Sequence, residues 1–448
     1  MANTYLTKTF SSGGNQRIWT LSFWVKLNRG TGDDSYILTY AQSSGSNPRG
    51  EITFRNDANG NNFRVGFNPT GSSWTNCDVD NRKFRDYSAW MHTVIAVDTT
   101  QSTASNRVKV YINGEQQTVS TQPSQNFDTG FNHTHQQSYG RYENSDSSYL
   151  DGLLSHIHFI DGTQYQASDF GESDSVSGIW KPKTAPSVTY GTNGYFLKFE
   201  NSGAMGTDSS GNSNTFTVSG NLTQNVDTPS NNFATLNPLD VSGLANTGNT
   251  FSNGNLTVTD GSSNYLLTQS SLAVTTGKFY WEVKINSTAS DTASGVGIAD
   301  LDNFSRADGG GNTAYGWLYA PDGDKRNSGT STAYGDTYAA NDIIGIALDM
   351  TNGFLYFSKN GTWQNSGDPT SGASGTGSAY GSISGTIGCH LYDGSSSIAH
   401  EFSANFGQGY FGTTAVASAG TSPSEGGIFE YDCPSGYQAL CTKGINSF

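Results

Sequence analysis

The sequence predicts an all-β protein built from two tandem antiparallel β-sandwiches, and three observations predict it. Strand-type alternation of apolar and polar residues recurs along the chain, whereas the 3.6-residue helical period is almost absent. Turn-forming residues separate the alternating runs, with 55 Gly among 448 residues. Hydrophobic residues make up 34% and charged residues 14%, against a usual ~45–50% (Gly included) and ~25%. Aromatic residues nevertheless reach 12%, with 24 Phe and 23 Tyr. Low charge with many aromatics is not the composition of a disordered chain; it fits sandwiches with long polar loops.

The elements follow in order. Residues 20–28 place Leu21, Phe23, Val25 and Leu27 on one face. Residues 51–56 and 62–68 repeat the period of two with Ile52/Phe54 and Phe63/Val65/Phe67. Val94-Ile95-Ala96-Val97 is a continuous apolar run and predicts a strand covered on both faces. Val108 to Ile112, then Asn113-Gly114, then Gln116 to Val119 read as a hairpin, because Asn-Gly supplies the positive φ angles of a primed turn. Residues 150–160 form another strand, and Ser168-Asp169-Phe170-Gly171 a single helical turn with Ser as cap and Gly as stop.

From about residue 200 the chain becomes Gly/Ser/Asn/Thr-rich, which places the first domain at 1–222 and a polar linker at 223–250. The second domain, 251–415, opens with short strands at Asn255–Thr259 and Tyr265–Leu267. Lys278 to Ile285 then alternates strongly, and Gly295-Val-Gly-Ile-Ala reads as buried. Asn352-Gly353 and Asn360-Gly361 bracket the strand Phe354–Lys359, a strong hairpin signal. Residues 366–388 read as a loop, Ala399–Phe406 as a closing strand, and 416–448 as a C-terminal tail.

Lys+Arg is 23 and Asp+Glu 38, a formal charge of −15, which lacks the basic footprint of a nucleic-acid binder. No run approaches the ~18 apolar residues of a membrane span. Met1-Ala2-Asn3-Thr4-Tyr5 has neither a basic nor an apolar leader character, so synthesis in a reducing cytosol, or export by a route that needs no signal peptide, is expected. Four Cys make no disulfide framework. Cys433 and Cys441 are close enough to pair, with free thiols as the alternative, and Cys77 and Cys389 read as singly buried.

Four phrases in the first half resemble a laminin-G-like, concanavalin-type jelly roll: Leu21-Ser-Phe-Trp-Val-Lys, Trp90-Met-His-Thr-Val-Ile-Ala-Val-Asp, Val108-Lys-Val-Tyr-Ile-Asn-Gly-Glu and Tyr149-Leu-Asp-Gly-Leu-Leu-Ser-His-Ile-His-Phe-Ile-Asp-Gly. The second half resembles a SPRY domain through Tyr280-Trp-Glu-Val-Lys, Gly295-Val-Gly-Ile-Ala, Tyr315-Gly-Trp, Asp342-Ile-Ile-Gly-Ile-Ala-Leu-Asp and Leu355-Tyr-Phe-Ser-Lys-Asn-Gly. The combination, with Asp208-Ser-Ser-Gly-Asn and Asp227-Thr-Pro-Ser-Asn-Asn-Phe-Ala-Thr-Leu-Asn-Pro-Leu, resembles virion structural proteins of tailed phages of marine bacteria. The resemblance implies a virion-surface location and partners among the capsid or tail proteins. The sandwich pattern begins by residue 5, and no heptad or shaft repeat follows, which favours a short fibre tip, a knob or a decoration over a long fibre.

The chemistry-bearing residues are few. The Glu-x-Asp-x-x-Glu strand of β-glucan hydrolases has its nearest counterpart in Glu172-Ser-Asp174-Ser-Val-Ser177, which lacks the second Glu. No nucleophile-elbow motif occurs, so no catalytic residue is assigned and the protein is expected not to be an enzyme. Laminin-G-like domains hold Ca²⁺ at the sandwich rim, which makes Asp33, Asp34, Asp98 and Asp151 candidates here, against a plain turn-capping role. His133/His135 and His156/His158 each sit two apart, so a strand would place each pair on one face; in a trimer such a pair could ligate a metal on the axis. His156 and His158 are expected outward, with Ile157 and Phe159 inward. Trp74, Tyr315, Trp317, Tyr319, Tyr334, Tyr338 and Trp363 lie in or beside loops and are the candidate binding residues, since exposed aromatics anchor interfaces.

The expected function is a short tail-fibre or knob-type adhesin recognising host surface glycan or protein. It would act in multiple copies or as a homo-oligomer, without nucleic acid or membrane insertion. The first domain would attach to the particle and the second present the recognising loops. A capsid decoration or head-fibre protein is the first alternative, a polysaccharide depolymerase the second.

Overall fold

The computed structural model describes residues 4–28, 34–42, 48–55, 62–79, 81–143, 148–239, 249–260, 266–287, 294–304, 309–394 and 400–448. It is all-β, and divides into two compact units, residues 1–224 and 225–448.

The first unit is a sandwich of two antiparallel sheets. The seven-stranded sheet runs in the order Thr217–Ser219, Tyr5–Lys8, Gln136–Tyr139, Ser35–Ala41, Arg49–Arg55, Asn62–Asn68, Thr75–Val79. The six-stranded sheet runs Tyr195–Leu197, Gly152–Asp161, Ile18–Leu27, Met91–Asp98, Val108–Ile112, Glu115–Gln117. The alternating residues meet between them: Leu21, Phe23, Val25 and Leu27 pack with Ile52, Phe54, Phe63, Val65 and Phe67 around Trp19. The Asn113-Gly114 turn has φ of 48° and 85°.

The other face of the six-stranded sheet is also covered. Ile95 and Val97 point into the main core, whereas Val94 and Ala96 join Tyr111, Ile160, Ala167 and Phe170 under the segment 163–190. That segment contains the helical turn Ala167–Phe170, whose cap is Gln166 rather than Ser168. His92 is buried beneath it. Trp180 Nε1 donates to His92 Nδ1 at 2.9 Å, so Nε2 carries the proton and donates to Ser22 Oγ at 2.8 Å, while Trp24 stacks at 4.8 Å. Burial lowers the His92 pKa to about 3, with His156 adding to the effect. A folded value below the unfolded ~6.5 means the neutral imidazole is the native form. Its contribution is complete above pH 6.5 and is lost as pH falls from 6.5 towards 3. Melting of the first unit is therefore expected to fall steeply below pH 6.5, and His92→Gln to flatten that limb, as read by tryptophan fluorescence.

The second unit is likewise two sheets. The larger orders Thr250–Ser252, Thr257–Thr259, Glu401–Asn405, Lys278–Ile285, Ile343–Asp349, Phe354–Lys359 and Thr362–Trp363, with Gln438–Ala439 pairing in parallel to Lys278–Ile285. The smaller orders Leu266–Gln269, Ile387–Asp393, Gly295–Asp300, Gly316–Tyr319, Asp324–Asn327 and Thr330–Ala333. Phe279, Trp281, Val283 and Ile285 face the core, and Gly295 to Ala299 are buried. Asn360-Gly361 forms the primed turn with φ of 47° and 79°. At Asn352-Gly353 only the glycine has positive φ, and Asp349 Oδ1 accepts from the Thr351 and Asn352 amides instead.

Two boundaries read from composition are corrected. Within the expected linker 223–250, Phe233, Ala234 and Leu236 are fully buried in second-unit clusters, so the unit begins at 225; residues 240–248 lie outside the described residues. The expected tail 416–448 is a strap on the outer face of the larger sheet. Its Phe429, Cys433, Tyr437, Ala439 and Cys441 pack against Tyr280, Ala347 and Tyr356. Cys433 and Cys441 are unpaired buried thiols, and Cys441 Sγ accepts from the Gly444 amide at 3.3 Å. Tyr265 and Ala399, at the ends of two expected strands, lie outside the described residues.

Candidate functional site

In the first unit the strand Arg49–Arg55 turns Ile52 and Phe54 inward, which leaves Glu51, Thr53 and Arg55 on the outer face. Residues directly opposite on antiparallel strands share a face. Glu51 stands opposite Gly66, Thr53 opposite Arg64, Arg64 opposite Asp78, and Gly66 opposite Asn76. Arg64 grips Asp78 in a bidentate pair, Nε–Oδ1 2.8 Å and Nη2–Oδ2 2.7 Å, and reaches Glu51 at 3.8 Å. Gly66 leaves room for the Trp74 indole: a Cβ there would lie 3.0 Å from both the Trp74 ring and Glu51 Cγ. The Arg49 guanidinium sits 5.3 Å from the Trp74 ring centre. Tyr36 and Tyr142 stack at 4.7 Å close by.

The electrostatics of this face are unusual in one respect. Glu51 is 8% exposed, and among the described residues no hydrogen-bond donor reaches its carboxylate. Burial raises its pKa to about 6 against the pull of Arg64 and Arg55. Asn68 and Asn76, on the same face, each bury a side-chain carbonyl oxygen that has no hydrogen-bond partner among the described residues. The arrangement offers flat aromatic surfaces beside one partly exposed acceptor, Glu51, which suits a ligand with apolar C–H faces and hydroxyl donors.

The candidate binding aromatics divide. Trp74 is half-buried on the face just described. Tyr319, Tyr334 and Tyr338 are corrected to core residues of the second unit. Their hydroxyls tie loops to the sheet: Tyr338 Oη donates to the Tyr319 carbonyl at 2.8 Å, and Tyr319 Oη to the Asp336 carbonyl. Trp317 lies opposite Ile298 and packs against the same core. Tyr315 is 44% exposed. Trp363 and the rim of Tyr334 border an open depression of about 460 Å³ with Asp336, Gln364 and Asn365. There Gln364 Oε1 accepts from the Asp336 amide at 2.7 Å.

The Asp set does not converge. Asp33 lies outside the described residues. Asp34 pairs with Arg55 at 3.7 Å, Asp98 caps its own turn through Thr100 and Gln101, and Asp151 accepts from Asn28 Nδ2. No group of three or more His, Cys, Asp or Glu among the described residues could hold a metal. The expectation for His156 and His158 is corrected too. Ile157 and Phe159 do face the core, but a register shift between Ser155 and His158 puts His156 at φ 47° out of step, and His158 is buried on the outer face against Phe196 at 3.8 Å and bonded to Tyr190. His133 and His135 do share a face, with rings 4.1 Å apart.

Comparison with known proteins agrees with these architectures. Residues 3–167 match the family described as the concanavalin A-like lectin/glucanases superfamily, and residues 278–403 match the SPRY domain family. Ran-binding protein 9 of Xenopus tropicalis is 36% identical over 87 residues, 19% of this chain and 16% of that protein. Ran-binding protein 10 of Danio rerio is 36% identical over 87 residues, 14% of its length. The chain therefore spans less than a fifth of these relatives. Among solved structures, the SPRY domain of human HERC1 is 20% identical, with 36% of this chain and 96% of that one covered at a TM-score of 0.30. The TRIM65 PSpry domain is 16% identical, covering 38% and 91% at 0.29. The chain carries a laminin-G/concanavalin-like domain followed by a SPRY domain.

Proposed function

We propose that this protein is a non-enzymatic adhesin on the surface of a tailed-phage virion, and that its first domain binds a host-surface glycan. One observation carries the recognition: on the outer face of the seven-stranded sheet, Trp74 and the Tyr36–Tyr142 stack flank Glu51, whose largely buried carboxylate accepts no hydrogen bond among the described residues. Sugar C–H faces suit the rings, and sugar hydroxyls suit the partly exposed Glu51 carboxylate. The phage setting is supported by the sequence phrases alone. This reading moves recognition from the second domain, where the loop aromatics placed it, to the first. The SPRY domain, with the Trp363–Asp336 depression, then takes the contact with other virion proteins. Many copies on one particle convert weak single contacts into avidity.

The purified chain is expected to bind host cells and to compete with phage adsorption. Trp74→Ala should weaken that binding at least tenfold, the loss of one well-packed aromatic anchor of over ~1.4 kcal/mol, with melting unchanged. No cell binding at micromolar protein counts against the adhesin. A copy number in multiples of capsid symmetry, by mass spectrometry of particles, would move the protein to the shell.

A further inference from the structure

We propose that ligand binding on the outer face of the first unit is proton-linked through Glu51, which must be ionised to accept the ligand's hydroxyls. The inference rests on the glycan-binding reading above and adds its control by pH.

The geometry sets Glu51 apart from every other charge on the face. Arg64, its nearest cation, is committed to Asp78 by two hydrogen bonds of 2.8 and 2.7 Å and stands 3.8 Å from Glu51. On its own strand, Arg55 pairs with Asp34 and Arg49 lies over Trp74. From the strand Ser35–Ala41 it faces Thr39, whose hydroxyl donates to the Arg141 carbonyl. Tyr36 and Tyr142, turned to each other, feel its charge from that side. Beyond Tyr142, Arg141 pairs with Glu143 at 2.7 Å. Its other cross-strand neighbour, Gly66, carries no side chain at all. Among the described residues Glu51 is thus a carboxylate that accepts no hydrogen bond, yet its side chain keeps 11% of its surface in solvent beside Trp74.

A carboxylate in that position has two states with different chemistry. Ionised, it accepts from hydroxyls at full charge-assisted strength; protonated, it loses that strength and spends one oxygen as a donor. Burial favours the protonated state, and the free protein holds the proton up to about pH 6. A ligand that binds the ionised form must expel it. Affinity is then constant above pH 7 and about tenfold weaker at pH 5, because the ionised fraction falls in that ratio. An adhesin so built attaches in neutral water and lets go in mildly acidic surroundings.

Two measurements on the full chain decide it. A ¹³C-carboxyl NMR titration of the free protein, with Glu51 assigned from the spectrum of Glu51→Gln, is expected to show a midpoint near 6; a midpoint at the ordinary carboxyl value overturns the proposal. Binding to a printed panel of bacterial surface polysaccharides is then compared at pH 7 and pH 5. The expected result is a tenfold weakening that Glu51→Gln removes and that Glu51→Asp retains. Trp74-dependent binding that is flat with pH overturns the proton linkage and leaves the adhesin standing. No binding at either pH overturns both.

Discussion

The Trp19→Ala protein is expected to lose about 3–5 kcal/mol from the first unit, the cost of a large cavity left by a buried aromatic. Trp19 is fully buried. Its ring meets Phe131 at 5.5 Å, Phe159 at 5.8 Å and Phe67 edge-on at 6.4 Å, so it joins residues contributed by both sheets. Its Nε1 donates to Thr129 Oγ1 at 3.0 Å, and that hydroxyl donates on to the Gln16 carbonyl at 2.8 Å. Phenylalanine keeps most of the contact and loses the donor, so Trp19→Phe should cost roughly 1–2 kcal/mol. Total stabilities of ~5–15 kcal/mol put the alanine variant near the edge of folding. Urea denaturation followed by far-UV circular dichroism measures both. A Trp19→Ala loss below 1 kcal/mol would mean that the sandwich core does not depend on this ring.

In the second unit the largest effect is expected at Glu282. Its carboxylate is fully buried and accepts from the Glu430 and Tyr431 amides at 2.8 Å each and from Tyr280 Oη at 3.0 Å, with Asn405 Nδ2 at 3.4 Å. Two consecutive backbone amides of the strap therefore end on one side chain. Glu282→Ala strands both amides and the phenol, which at ~1–3 kcal/mol for each unsatisfied group predicts a loss of about 3–5 kcal/mol. The same site sets a pH dependence. Burial outweighs the hydrogen bonds and raises the Glu282 pKa to about 7, above the ordinary ~4.3. The folded state thus holds the proton more tightly. The stability this confers is fully present below the unfolded value and is lost as pH rises to about 7. The span corresponds to about 4 kcal/mol, most of it between pH 5 and pH 8. Calorimetry at pH 5 and pH 8 should show that loss, and Glu282→Gln should flatten it while keeping an acceptor for the strap. A Glu282→Gln protein with an unchanged slope would exclude this carboxyl as the source.

What the sequence shows and hides follows from what alternation can encode. Leu21/Phe23/Val25 and Phe279/Trp281/Val283 reveal their strands because apolar residues recur every second position, and these residues form the two cores. Alternation also makes Glu51, Arg64 and Asp78 look like ordinary solvent-facing positions. Only register shows that they are brought together over Gly66 and under Trp74. Tyr319, Tyr334 and Tyr338 illustrate the reverse error. A tyrosine beside a loop reads as exposed, whereas here the ring fills the core and the hydroxyl reaches back to loop or strand backbone. The strap was hidden by its composition, since Phe429, Tyr437 and Leu440 are too sparse among Gly, Ser and Pro to show a period. Ile157 and Phe159 face the core as alternation reads, and His158 was hidden by the cover of Phe170 and Tyr190 over the outer face.

The pairing of Gln438–Ala439 with Phe279 and Tyr280 has a consequence for how the chain is born. The ribosome delivers the first sandwich whole before it makes the second, and that sandwich can fold while the rest emerges. The second cannot: its central strand waits for a neighbour made after every other strand of the larger sheet. Until Phe429 to Cys441 emerge, Tyr280, Ala347 and Tyr356 stand uncovered on a growing polypeptide. A stop codon ahead of Phe429 would therefore leave a sticky half-product rather than a slightly shortened protein.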